Sequence, residues 1–230
     1  MTGKKVSDAS TLNDPIKNRI AKRVAQELQD GYVVNLGVGI PTLTPKYITD
    51  GKKIYIQSEN GILGVGGRPQ AHEEDHDLID ASRNMTTVIP GGCFFDSAES
   101  FAMIRGKHVD ATVIGALQIS ETGDIANWSV PSRGLYGVGG AMDLVCGCKR
   151  VIAAMQHTDR DGSHKIIEKC NYPVTAFGVV DTVVTEYAVF KFRDKKMYLI
   201  DHTSDITMEQ LKDMTGARFE IADEFTVRQI

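Results

Sequence analysis

The sequence predicts an α/β fold: an open, mostly parallel sheet flanked by helices, with antiparallel hairpin additions. Three observations carry that expectation. Short apolar, β-branched runs alternate with segments of helical periodicity along most of the chain, the pattern of parallel strands joined by crossover helices. Glycine-rich turns recur between them, at Gly37-Val38-Gly39, Gly64-Val65-Gly66-Gly67 and Gly137-Val138-Gly139-Gly140. Near the C-terminus, two strand-like runs flank Arg193-Asp194-Lys195-Lys196, which reads as a hairpin.

The elements follow in order. Asn13 and Asp14 can cap a first helix, Pro15 suits its first turn, and Ile16, Ile20, Val24 and Leu28 recur every fourth residue. Gly31 ends it. Residues 32–36 read as a buried strand running into Gly37-Val38-Gly39-Ile40-Pro41. A second helix is expected over 42–48, then a strand at Ile54-Tyr55-Ile56 that stops on Ser58-Glu59-Asn60-Gly61. Residues 61–80 read as an irregular loop. A short strand at 86–89 is expected to close at Pro90-Gly91-Gly92. Asp96 or Ser97 can cap a helix through Arg105, stopped by Gly106. Residues 109–115 and 151–155 read as core strands. The runs 117–120 and 125–128 flank the turn Glu121-Thr122-Gly123-Asp124. The hairpin pairs 187–192 with 197–202, and Thr207 caps a last helix to Thr215, with Gly216 after it.

Composition narrows the class. At 230 residues the chain fits a single domain, 1–230, with residues 1–14 as a flexible lead-in. Hydrophobic content of 42% and charged content of 24% are those of an ordinary globular protein. A formal charge of -4 gives no electrostatic reason to expect nucleic acid or an anionic membrane as partner. No apolar stretch approaches the ~20 residues of a membrane span, and the first residues lack the apolar middle of a signal peptide. A cytoplasmic location is expected. The cysteines, Cys93, Cys146, Cys148 and Cys170, have no zinc-motif spacing and read as reduced, small apolar residues. The run from His72 to Asp77 offers two imidazoles and four carboxylates, yet matches no known zinc motif, so a solvated acidic loop is the simpler reading.

Glu59 holds the most chemistry. It follows a strand and precedes glycines, so a carboxylate is presented at a sheet edge with backbone packed closely around it. In open α/β sheets that edge is where ligands bind. A glutamate is ionised at neutral pH and can attack an activated carbonyl without a general base. The oxyanion formed in such an attack needs donors, and backbone N–H groups in a glycine turn supply them without obstruction. The turn at 137–140 leads into Ala141-Met142-Asp143-Leu144-Val145 and is placed to open a helix, whose first N–H groups favour anions. Gly37-Val38-Gly39 is a weak match to a dinucleotide fingerprint, because Thr42 stands where its third glycine belongs.

The string Gln57-Ser58-Glu59-Asn60-Gly61 resembles the active-site motif of the family I CoA-transferases. Further segments resemble the β subunit, or the C-terminal half, of acetoacetate-type and butyrate-type members: residues 34–41, 57–64, 100–106, 126–128 and 139–145, in the family's order. The resemblance runs from about Ile16 to the C-terminus. It implies a CoA-transferase-like fold and transfer of CoA between a short-chain acyl-CoA and a free acid, such as acetoacetate, butyrate or acetate. The implied route is ping-pong, through a glutamyl-CoA thioester on Glu59. Residue by residue, Gly140 matches a glycine of the oxyanion hole, with Gly139 beside it. Asn35, Gly37 and Gly39 match a loop bordering the acyl pocket, Asn60 and Gly61 shape the turn, and Arg83 falls near the CoA. CoA is then a substrate, and neither a metal nor a cofactor is required.

Two departures from relatives touch substrate contacts: Pro131-Ser132-Arg133-Gly134 where Pro-Gly-Lys is common, and Arg105-Gly106-Lys107-His108 where Arg-Gly-Gly-His is common. The resemblance also implies an obligate partner, the α subunit, in a heterotetramer or larger assembly, because relatives draw much of the CoA site from it. Two other readings remain open from the residues alone: an acyl-CoA hydrolase using the same glutamate, and a non-catalytic ligand-sensing module of related fold.

Overall fold

The computed structural model describes residues 13–49, 51–131, 134–135 and 137–229. Most of the expected flexible lead-in, and Ser132, Arg133 and Tyr136 ahead of the glycine turn at 137–140, lie outside the described residues.

The chain begins with helix α1 (Pro15–Glu27). Asp14 caps it, accepting from the Ile16 and Lys17 backbone N–H groups at 3.0 and 3.2 Å. The spacing of Ile20, Val24 and Leu28 puts all three on one buried face. Then come β1 (Val33–Leu36), β2 (Tyr55–Ser58), β3 (Ile62–Val65), β4 (Val88–Phe94), helix α2 (Ser97–Arg105) and β5 (Ala111–Ile114). The short strands β6 (Gln118–Ser120), β7 (Ile125–Ala126), β8 (Ser129–Val130) and β9 (Gly134–Leu135) precede helix α3 (Ala141–Gly147) and β10 (Arg150–Ala154). The remainder is β11 (Ile166–Ile167), β12 (Thr182–Val184), β13 (Ala188–Arg193), β14 (Lys196–Thr203), helix α4 (Met208–Asp213) and β15 (Glu220–Arg228).

Ten strands form one sheet in the order β15-β14-β13-β12-β10-β5-β1-β2-β3-β4. Its centre, β12-β10-β5-β1-β2, is parallel throughout, and antiparallel strands extend both sides. Alternation along the central strands divides the core. Val34, Ala111, Val113, Ile152 and Ala154 pack against Ile20 and Val24 of α1 and Leu28 at its C-cap. On the opposite face, Val33 packs with Phe101 and Ile104 of α2 and Leu144 of α3. The chain leaves β1 toward β2, β3 and β4, then returns through α2 to the other side of β1 as β5. In open α/β sheets a reversal of this kind marks where ligands bind, outside the C-terminal ends of the central strands.

Three expectations need correction. Residues 42–48 do not form an α-helix; Ile40–Tyr47 is a 3-10 segment, with Pro45 inside it lacking the N–H that an α-helix interior needs. Residues 61–80 are not all loop, since Ile62–Val65 is β3, paired antiparallel to β2. The strand expected to close at Pro90 instead continues as β4 to Phe94. It lies at the sheet edge, where proline's missing donor costs no ladder bond. The predicted C-terminal hairpin and the Thr207 cap are both present, the cap as a full capping box with Gln210. No helix among the described residues is long and apolar enough to cross a membrane.

His157 ties the core to α4. It is fully buried, with Nδ1 3.0 Å from Thr185 Oγ1 and Nε2 2.9 Å from Thr215 Oγ1. Burial pushes its pKa down to about 4. As the pH falls from about 6.5 toward 4, the unfolded chain takes up a proton that the folded one refuses. The stability this histidine contributes is complete above that window and falls within it, by about 3 kcal/mol at full extent. Thermal unfolding across this range should show wild type losing stability relative to His157→Gln, which keeps hydrogen-bonding atoms but cannot titrate. A constant difference between the two would contradict the assignment.

Candidate active site

Glu59 sits on a hairpin tip. Strand β2 ends at Ser58 and β3 starts at Ile62, with Ser58 paired to Ile62, so Glu59, Asn60 and Gly61 form a three-residue loop. The loop closes through Gly61 N–H donating to the Ser58 carbonyl at 3.0 Å. Gly61 has φ +119°, and a Cβ there would lie 2.0 Å from the Phe95 carbonyl oxygen. Only glycine fits. The Phe95 N–H in turn donates to the Gly61 carbonyl at 3.0 Å, which fastens the loop to the segment leading into α2.

The half-buried Glu59 carboxylate is held from β1. Asn35, 1% exposed, donates through Nδ2 to Glu59 Oε2 at 3.0 Å. The same nitrogen donates to Gln57 Oε1 at 2.8 Å and lies 3.3 Å from the Gln57 carbonyl oxygen. Gln57, 2% exposed, donates through Nε2 to Ser100 Oγ at 2.8 Å, and Ser100 is fully buried on α2. A continuous hydrogen-bonded path therefore runs from Ser100 through Gln57 and Asn35 to Glu59. On the other side of β2, Ser58 Oγ accepts from the Ala81 N–H at 2.9 Å, and Asn60 Nδ2 donates to the Ile79 carbonyl at 2.8 Å.

The remaining predicted residues take these places. Gly37 continues β1 beyond its last residue, its N–H donating to the Val113 carbonyl at 2.8 Å, and Gly39 follows it at the start of the 3-10 segment. Arg83 is exposed at the apex of a turn, with φ +63°, and its N–H donates to the Asp80 carbonyl at 2.9 Å. That turn follows the segment anchored on Ser58 and Asn60. Gly139 and Gly140 precede α3, as the sequence suggested. A Cβ on Gly140 would lie 2.8 Å from Phe101 Cζ, so this turn packs against the α2 residue next to Ser100.

Gln57 and Ser100 were missed as site residues. Strand parity could have found the first, because Gln57 and Glu59 are two apart and project to the same side. Nothing local identifies Ser100, 43 positions from its partner.

Other features lie apart from this arrangement. The His72–Asp77 side chains are exposed, and among the described residues no group of three or more His, Cys, Asp or Glu converges on a metal-sized site. The four cysteines are free thiols, and burial pushes Cys148 up to about 12 and Cys170 up to about 11. A cleft of about 600 Å³ beside α1 is lined in part by Arg19, Lys22, Arg23 and Arg228, and by none of the residues around Glu59. Asp201 and Asp205 bind its three guanidiniums.

A carboxylate on a fixed hairpin, held by an amide at the C-terminal ends of the central strands of an open α/β sheet, defines a site suited to acyl chemistry. Comparison with known proteins specifies it. The family model for coenzyme A transferase matches residues 17–213. The chain is 48% identical over 213 residues to the β subunit of acetate CoA-transferase from Escherichia coli K12, covering 93% of this chain and 97% of that protein. It is 46% identical over 210 residues to the mitochondrial succinyl-CoA:3-ketoacid coenzyme A transferase 2A of Rattus norvegicus, covering 90% of this chain but only 40% of the rat protein. The crystal structure of an acyl-CoA transferase apoenzyme from E. coli O157:H7 superposes with a TM-score of 0.73 at 20% identity, over 95% of this chain and 43% of that one, which supports the fold. The protein belongs to the coenzyme A transferase family and is a CoA-transferase.

The loop geometry gives a direct test. Gly61→Ala should cost about 3 kcal/mol or more, since it combines a backbone region reserved for glycine with a clash against backbone. Thermal or denaturant unfolding should register this as a large loss of stability, and a near-neutral result would mean that the loop does not hold this conformation.

Proposed function

We propose that the protein transfers CoA between a short-chain acyl-CoA and a free carboxylic acid by a ping-pong route through Glu59, as the catalytic subunit of a heteromer. The observation that carries this reading is the Asn35–Glu59 hydrogen bond at 3.0 Å, which fixes an ionisable carboxylate just beyond the C-terminal end of β2.

A Glu59 carboxylate oxygen attacks the thioester carbonyl, and the C–S bond breaks to give a mixed anhydride and CoA thiolate. The thiolate then attacks Glu59 Cδ, expelling the first acid as its carboxylate and leaving a glutamyl-CoA thioester. The acceptor carboxylate attacks the same Cδ, displacing thiolate and forming a second anhydride. Thiolate attack on the acceptor's acyl carbon releases the new acyl-CoA and restores Glu59. Every bond broken is replaced, without water or a redox step.

In two of these attacks the oxyanion develops on Glu59 itself, where Asn35 Nδ2 already donates. The Gly140 N–H, with Gly139 beside it, serves the oxyanion on the substrate acyl carbon. Gly37 and Gly39 border the acyl group, Asn60 and Gly61 shape the loop, and Arg83 reaches toward the CoA. Acetate and 3-ketoacids are the acids that the relatives' names favour.

Coverage of the relatives supports a partner. The chain spans nearly all of a bacterial β subunit but only 40% of the rat protein. A separate α subunit supplies the remainder, and the site closes at the interface between the two, shielding the anhydride and thioester from water.

Replacing Glu59 by Ala or Gln in the assembled complex should lower transfer by more than about 10³-fold, the scale of losing a covalent nucleophile, while leaving assembly with the partner intact. Near-normal turnover by Glu59→Ala would refute the assignment. Steady release of free thiol from acyl-CoA without an acceptor acid would instead identify a hydrolase.

A further inference from the structure

Asn35 presents an unusual account of its hydrogen bonds. Its Nδ2 faces three acceptors: Gln57 Oε1, the Gln57 carbonyl oxygen and Glu59 Oε2. Its Oδ1 is buried and has no partner among the described residues. Leaving a buried acceptor unsatisfied costs about 1–3 kcal/mol, and such a group calls for an explanation. An amide has two nearly isosteric orientations. The observed one places every donor of Asn35 on the side of Glu59 and sacrifices the other side.

While Glu59 is a carboxylate, its own charge favours that orientation. In the anhydride and the thioester the charge is gone, yet the donor must stay aimed at Glu59 for the next attack on Cδ. The remaining restraint comes from Gln57. Its Oε1 takes one Asn35 proton at 2.8 Å, and its own amide is anchored by Ser100 Oγ at 2.8 Å. Ser100 is in turn fixed on α2, whose first turn is capped by Asp96 accepting from Glu99 N–H at 2.8 Å.

Resting on the reading of Glu59 as nucleophile, we propose that Gln57, anchored by Ser100, is a positioning residue that keeps the Asn35 amide donor directed at Glu59 through the uncharged intermediates of the reaction. Neither residue touches substrate. Their effect on turnover passes through Asn35.

The test is a double-mutant cycle on the assembled complex, read as turnover and as the single-turnover rate of CoA adduct formation, which remains measurable in slow variants. Gln57→Leu should lower kcat about 10–100-fold, the scale of a small misplacement of a reacting group, with the KM for acyl-CoA changed less than about twofold. Ser100→Ala removes one oxygen at little change in volume and should lower kcat about 3–10-fold in the same manner. In an Asn35→Ala background each substitution should change the rate less than about twofold, because the group it positions is absent. Equal losses with and without Asn35, or no loss in either background, would overturn the proposal.

If Gln57→Leu fails to assemble, the Ser100→Ala cycle decides alone. Glu59→Ala, run alongside, separates the two readings. An active Glu59→Ala complex removes the nucleophile assignment and this proposal with it. An inactive one, with additive effects at Gln57 and Asn35, removes only the positioning role.

Discussion

The site depends on one side-chain nitrogen. Asn35 Nδ2 links β1 to β2 and binds the Glu59 carboxylate, and its geometry follows from the register that sets Asn35 opposite Gln57 across a parallel pair. A one-residue slip of that register would turn Asn35 to the α1 side of the sheet and replace it with an apolar neighbour. The apolar pattern prevents the slip. Val34 must face Ile20 and Val24 of α1, so Val33 and Asn35 must face the other way. The burial that stabilises the sheet thereby fixes the polar residue that orients the carboxylate.

Helix α2 extends that control to the turn before α3. Its consecutive residues Ser100 and Phe101 meet Gln57 and Gly140, so one short helix braces both the carboxylate hairpin and the turn before α3. Arg105 pairs with Asp143 at 2.7 Å, and Gly147 allows α3 to approach the Ile104 carbonyl. The exposed ion pair adds little energy. The close glycine contact and the buried Ile104 and Leu144 make α2 and α3 one unit. Because the segment before α2 also bonds to Gly61, movement of α2 would disturb the hairpin from two directions.

Much of this was legible in the sequence where physics is local. The i, i+4 apolar ladder and Asp14 cap specified α1, and the motif around Glu59 located the carboxylate. The Thr207 cap and the turn at 193–196 specified the C-terminal elements. What escaped was non-local. Ile62–Val65 reads as loop because Gly61, Gly64, Gly66 and Gly67 punctuate the stretch, whereas pairing with β2 and β4 makes it a strand. The edge position that lets Pro90 sit inside β4 is a property of the sheet. Ser100 reads as one polar residue in an ordinary helix until the fold brings it to Gln57. The direction of an amide cannot be seen in a sequence at all; it emerges only when the fold gathers acceptors around one end of it.

On the proposed route Glu59 becomes covalently bonded to CoA. It is tested by the mass of this chain, purified with the proposed α partner and exposed briefly to acetoacetyl-CoA without an acceptor acid. A CoA-sized increase should map to the peptide containing Glu59 and disappear on adding acetate. Consumption of acyl-CoA and formation of a new acyl-CoA with the Glu59 peptide unmodified throughout would contradict it.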